Sequence, residues 1–240
     1  MNEGYCVVFD CESDCGFPRR VSPQEREIHI ERYMQFTVVC ALKIPSKMVL
    51  ERSSHEDILR ESKRFHYWRD GEKESTNYNP VHHLLELFDG ADVIVGFNCL
   101  GFDFPLLKRF YMMGKTSVAP SQRYMDHRSK CLDIMVRVRD ATGMYTKLDN
   151  LLKTNSLPTK SGDGAEAIAM WSNDEREKLK EYCETDVDVT ARLALTETVL
   201  VEVGHKTVSV QHQVHGLRCA LAAVREADFK RKREEDYVLV

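Results

Sequence analysis

Five apolar residues, Tyr5-Cys6-Val7-Val8-Phe9, run without a polar break into Asp10-Cys11-Glu12. A run this short, β-branched and aromatic predicts a buried strand. Side chains two apart on a strand share a face, so Asp10 and Glu12 point the same way at its end. Two carboxylates held together repel each other, and one takes up a proton unless a cation intervenes. Hard oxygen donors suit Mg²⁺ or Mn²⁺. The other reading is a polar strand end turning into solvent. A second Asp-x-Glu, Asp70-Gly71-Glu72, sits in a polar stretch with no strand read before it. The motif alone does not choose.

Residues 14–27, with Gly, two Pro and mixed charge, read as a loop. Two strands are predicted next, over 28–44 and 47–52, and the short Pro45-Ser46 turn between them implies antiparallel pairing. The polar stretch 53–80 reads as an insertion. Within it, Arg64 to Arg69 mixes basic and aromatic side chains. That is the composition of a single-strand stacking platform, and equally of a solvated segment packing its aromatics on the domain body.

After Pro80, residues 81–89 suit a short amphipathic helix. Ala91 to Phe97 is apolar enough for a central parallel strand, and a helix closing on Gly114 follows Asp103. A strand is predicted over 131–136, a short helix over 146–154, and a loop through Pro158, Gly162 and Gly164. Asn173 is placed to cap a long helix reaching about Leu200. His205, His212 and His215 are spaced too loosely for a ligand set and read as surface histidines. A last helix and a charged tail complete the chain. In the tail, Lys230-Arg231-Lys232-Arg233 suits a nuclear address, a phosphate contact or a solvated helix end.

Three meandering strands followed by alternating helices and strands predict an α/β fold with a mixed five-stranded sheet flanked by helices. One main unit is expected over 1–204, with 205–240 as a C-terminal helix and tail. A formal charge of −4 does not announce a nucleic-acid binder, yet carboxylates that hold metals make a site locally acidic. No apolar run reaches the ~20 residues of a membrane span, and the N-terminus has no signal-peptide pattern. Eight cysteines in that context read as reduced thiols of an intracellular protein, cytoplasmic or nuclear.

Polar residues with chemical potential recur at element ends: Asp10 with Glu12, Asp103, and the long helix. On that helix Tyr182 and Asp186 are four apart and share a face, whereas Asp188 points well away from Tyr182. Asp186 is therefore the functional candidate. A surface carboxylate and a half-buried core tyrosine are the plain alternatives.

Phe9-Asp10-Cys11-Glu12, then Gly96-Phe97-Asn98 with Phe102-Asp103, then Tyr182-Cys183 with Asp186, resemble the three motifs of the DEDDy 3′–5′ exonucleases. The pattern is most similar to the proofreading domain of family B DNA polymerases. It agrees in type, spacing and order over most of 5–195, with Asp133 and Leu148-Asp149 in fitting places. The histidine branch of the family carries His where this chain has Glu181. No polymerase palm or fingers follow, so the sequence looks like a free-standing exonuclease.

The resemblance implies a ribonuclease H-like fold and hydrolysis from the 3′ end to nucleoside 5′-monophosphates. Single-stranded or frayed DNA is the favoured substrate, with 3′ ends of RNA, or binding without catalysis, as alternatives. Asp10, Glu12, Asp103 and Asp186 would hold two Mg²⁺ or Mn²⁺ ions, Asp10 bridging them. A tyrosine hydroxyl is a poor base near neutrality, so Tyr182 would aim the attacking water. Asn98 and the backbone near Ser13 would hold the terminal nucleotide. Phe102 would stack on a base or pack in the core.

Overall fold

The apolar run is β1 (Tyr5–Ser13), with Cys6, Val7, Val8 and Phe9 all buried. The computed structural model describes residues 4–18, 21–70, 79–113, 119–159, 162, 164–205 and 208–238. Its first departure from expectation comes at Pro23, inside the stretch 14–27 read as a loop, and continues into 28–44, where one strand was predicted. A helix, α1 (Pro23–Tyr33), precedes β2 (Phe36–Pro45). Ser22 and Glu25 form a reciprocal capping box that starts the helix. The alternation in Ile28-His29-Ile30 imitates a strand, but Ile30 and Met34, four apart, face the core while Ile28 is 52% exposed.

The predicted strand at 47–52 is instead a short helix, α2 (Ser46–Leu50), followed by α3 (His55–Glu61). Its place in the sheet is taken by β3 (Lys63–Trp68), which pairs antiparallel with β2. The basic and aromatic stretch is thus an edge strand. Phe65 and Tyr67 pack against one core, and Arg64 reaches Asp188 at 2.5 Å. A strand does precede Asp70, whose carboxylate pairs with Arg176 at 2.9 Å. Glu72 lies outside the described residues.

Next come α4 (His82–Gly90), β4 (Val93–Gly96), α5 (Asp103–Tyr111), α6 (Pro120–Ser129) and β5 (Cys131–Asp133). Gly114, expected to close α5, lies outside the described residues. The strand predicted over 131–136 ends early, because the Asp133 carboxylate caps α7 (Ile134–Thr142) through the N–H groups of Met135 and Val136. The sheet order is β3-β2-β1-β4-β5. β1, β2 and β3 pair antiparallel, while β4 and β5 join in parallel. This is the mixed five-stranded arrangement expected.

A helix, α8 (Leu148–Thr154), follows, and α9 (Gly164–Ser172) occupies what was read as loop. The long helix α10 (Arg176–Leu195) begins after Glu175, so Asn173 is not its cap. It stops short of Leu200 because the chain turns into a hairpin, β6 (Thr198–His205) with β7 (Val208–His215). Val199 and Val201, two apart, bury one side of that hairpin. Position 204/205 falls inside it. His215 is exposed; the side chains of His205 and His212 lie outside those described. α11 (Leu217–Val238) runs through the basic cluster, and Lys230 pairs with Glu226 at 2.7 Å. Among the described residues no helix is long and apolar enough to cross a membrane.

Two cores flank the sheet. Cys6 and Val8 join Tyr182, Cys183 and Val187 on one side; Val7, Phe9 and Cys11 join Phe88 and Phe104 on the other. Asp10 and Glu12 share parity with the first set, so β1 delivers them to the α10 face.

Behind the second core, His127 is buried between the Tyr111 hydroxyl on Nδ1 and Asp89 on Nε2, each at 2.9 Å. Burial pushes its pKa down to about 4, against the pull of Asp89 and with Arg123 and Lys130 adding to the depression. An unfolded histidine titrates near ~6.5, so the native state binds fewer protons below that pH and loses stability as pH falls. Between pH 6.5 and 5 the expected loss is about 2 kcal/mol, from ~1.36 kcal/mol per pH unit. Urea unfolding at the two pH values measures it. A slope unchanged in His127→Gln would assign the loss to other groups.

Candidate active site

β1, the loop after β4 and α10 converge at the carboxyl end of the central strands. The β1–β2 register shifts between Cys11 and Ser13. Such a bulge re-aims the side chain it contains, here Glu12. Ligand atoms of Asp10, Glu12 and Cys183 all lie within 4.8 Å of one another. Cys183 comes from α10 one residue after Tyr182, and its Sγ–H is directed to the Asp10 carbonyl at 3.5 Å. Burial pushes the Cys183 thiol well above its ordinary pKa, so it stands beside the carboxylates as a neutral group. Tyr182, Cys183 and Asp186 are all buried on the sheet side of α10, which is the shared face that the four-residue spacing requires.

Asp10 and Asp186 line a cleft of about 430 Å³ together with Phe97, Asn98, Lys147, Leu148 and Asp149. Asn98 has a left-handed backbone, φ 61. Its own N–H and that of Leu100 donate to the Asp133 carboxylate at 2.9 and 2.8 Å. Asp133 thus receives four backbone N–H groups, from this loop and from α7, and serves as the loop's anchor. The absence of a side chain at Gly101 admits the Asn98 carboxamide, because a Cβ there would stand 2.7 Å from Asn98 Oδ1.

Asp103 opens α5 and is buried, with Oδ1 accepting the Cys11 N–H at 2.8 Å. Burial raises its pKa to about 7, opposed by the bonds from Cys11. The bond from the Cys11 N–H holds it against β1, and like Glu12 and Tyr182 it is not among the described residues that line the cleft. Ser13 is buried, and its hydroxyl donates to the Cys15 carbonyl at 2.9 Å. Phe102 packs against the second core with its ring 6.2 Å from that of Phe17. Neither Ser13 nor Phe102 is among the described residues that line the cleft.

Cys183 and Lys147 escaped the sequence reading, and Asp149 was noted there only for its fitting place between the motifs. Cys183 stood within the Tyr-Cys motif but carried no separate signal. Lys147 and Asp149 form one wall, and Asp149 Oδ1 is buried without a hydrogen-bond partner. The only mark of Lys147 was its position at the start of a short helix. Among the described residues the cleft lining thus holds three carboxylates, Asp10, Asp149 and Asp186, and one lysine.

Residues 56–232 match a family model described as predicted 3′–5′ exonuclease related to the exonuclease domain of PolB. The matched range holds Asn98, Asp103, Tyr182 and Asp186, and begins after β1. The family B DNA polymerase of the hyperthermophilic archaeon Pyrobaculum calidifontis aligns at 17% identity and a TM-score of 0.49, over 79% of this chain and 24% of the polymerase. Exonuclease I of E. coli, in complex with a dT13 oligonucleotide, aligns at 13% identity and a TM-score of 0.44, over 80% of this chain and 40% of its own. The chain thus spans well under half of either. Among curated proteins none matches it.

Proposed function

This chain belongs to the family of predicted 3′–5′ exonucleases related to the exonuclease domain of PolB, and from that premise we propose that its acidic cleft removes nucleoside 5′-monophosphates from the 3′ end of single-stranded or frayed DNA. One observation carries the reading: carboxylates from separate segments gather where β1 meets α10, with Asp10 and Glu12 in one ligand cluster and Asp186 in the same cleft as Asp10.

Asp10, Glu12, Asp103 and Asp186 are the groups that would hold two divalent ions. Their donors are oxygens, which suits Mg²⁺ or Mn²⁺, and Cys183 is kept protonated by burial so that it does not compete as a thiolate. Bound there, the ions would stabilise the attacking and leaving oxygens at phosphorus and make a water proton labile. Tyr182 holds its hydroxyl on the same helical face as Asp186 and aims the water. Asn98, fixed by Asp133, presents its carboxamide to the terminal nucleotide. Lys147 offers a cation to a phosphate that is not being cut.

A time course on 5′-labelled single-stranded DNA and RNA of matched sequence tests this, with Mg²⁺, Mn²⁺ or EDTA. A metal-dependent ladder shortening from the 3′ end of DNA is expected. Faster loss of RNA would transfer the activity to RNA ends, and binding without shortening in Mn²⁺ would leave only a nucleic-acid-binding protein.

Tyr182→Phe is expected to lower turnover on the order of 10²-fold, the scale of removing one positioned hydrogen-bond group, with little change in oligonucleotide affinity. Affinity falling in step with turnover would make Tyr182 a binding residue. A falling melting temperature would make it a core residue.

A further inference from the structure

The sulfur atoms of Cys99 and Cys131 lie 3.1 Å apart, and both residues are free thiols. Cys99 sits in the loop between Asn98 and Asp103 and is completely buried; Cys131 begins β5 and is half-buried. The contact is enforced from three sides. Behind Cys99 is Gly96, where a Cβ would stand 2.6 Å from Cys99 Cβ and 2.8 Å from its Sγ, so only glycine lets the thiol lie there. The N–H groups on either side of Cys99, from Asn98 and Leu100, are held by Asp133, two residues beyond Cys131. The Cys99 carbonyl accepts the Phe104 N–H at 2.9 Å. Loop and strand are therefore already docked, and the two sulfurs need move only about 1 Å to reach the ~2.05 Å of a disulfide.

We infer that Cys99 and Cys131 are a dithiol oxidation site, closed to a disulfide by hydroperoxides, and that closure lowers the activity of the adjoining cleft. The effect on activity rests on the nuclease reading; the chemistry of the pair does not. Cys131, the less buried residue of the two, attacks the hydroperoxide as a thiolate. The O–O bond breaks, the alcohol leaves, and Cys131 carries a sulfenic acid. The Cys99 sulfur then displaces hydroxide from the Cys131 sulfur, and its proton leaves with that hydroxide as water. Two thiols lose two electrons in all, and the hydroperoxide becomes alcohol and water. Burial holds the Cys99 proton well above the ordinary thiol range, so the second step is the slow one.

The disulfide pulls on the loop that presents Asn98 and leads into Asp103. A 1 Å misplacement of groups that position a reacting centre costs roughly 10²-fold in rate.

The test treats the whole chain with tert-butyl hydroperoxide, maps it by non-reducing peptide mass spectrometry, and follows cleavage of a 5′-labelled oligonucleotide. A Cys99–Cys131 cross-linked peptide is expected, with turnover falling about 10²-fold and returning on addition of dithiothreitol. Cys131→Ser should keep its reduced activity and resist the oxidant. Sulfinic acid without a cross-link, a cross-link between other cysteines such as Cys40 and Cys183, or a Cys99–Cys131 link with unchanged turnover would each overturn the inference. If the reduced protein cleaves nothing, the nuclease reading has failed, and the peptide map alone decides whether the pair is an oxidation site.

Discussion

Asp10→Ala and Asp186→Ala should each lower hydrolysis by ~10³-fold or more while the fold survives. That loss corresponds to ~4 kcal/mol of transition-state stabilisation, the scale of losing one anchor of a metal-assisted displacement. Asp10 shares a ligand cluster with Glu12 and a cleft with Asp186 and Asp149, so the metal-free protein holds like charges at close quarters. Removing one of them relieves repulsion, and the melting temperature in EDTA should hold or rise. The same substitution should reduce the stabilisation that Mn²⁺ gives the wild type, because binding to the native state alone raises its stability. The two readouts pull in opposite directions, which a merely damaged fold does not do. A variant with near-wild-type turnover would sink the two-ion assignment.

The parts of this site that were legible in the sequence are those where geometry is local. Asp10 and Glu12 share a face because a strand has period two, and Tyr182 and Asp186 because a helix has nearly four residues per turn. The central strands were legible because burial on both faces leaves an unbroken apolar run, as in Val93 to Val95. Edges of the sheet lack that signature. β3 spends Lys63 and Arg64 on solvent, so its composition is that of a charged loop even though its backbone pairs with β2 along six residues. Ile28 and Ile30 imitate a strand, and only the capping box at Ser22 and Glu25 tells against it. Cys183 reaches Asp10 and Glu12, and Lys147 the cleft, by tertiary packing, and no spacing along the chain brings α8 to face α10. Asp103 was legible as a motif residue, but its bond to the Cys11 N–H depends on how α5 enters the second core.

A covalently closed single-stranded circle should survive conditions that consume the linear form, and a 3′-phosphate should block digestion. The expected contrast is close to all or none, because a circle offers no end. An enzyme that reads a free 3′ hydroxyl needs a wall beyond the terminal sugar. On the proposed reading Asn98 would provide it: its backbone is pinned by Asp133, its φ is left-handed, and its side chain lies against Gly101 in the cleft lining. The backbone near Ser13 is the second part of that wall expected from the sequence; the Ser13 hydroxyl itself is turned to the Cys15 carbonyl. A 3′-phosphate would add negative charge next to Asp10, Asp149 and Asp186, where Lys147 is the one lysine among the described lining residues. Matched duplex ends must open before a scissile phosphate reaches the carboxylates, at ~1.4 kcal/mol per base-pair step. Binding energy in the cleft has to offset that, so mismatched ends should be cut faster than paired ones. Asn98→Ala should loosen the stop and raise KM for linear strands without opening circles. Rapid loss of the circle by the wild type would show that the cleft accepts a continuing strand, making the protein an endonuclease with the same carboxylate chemistry.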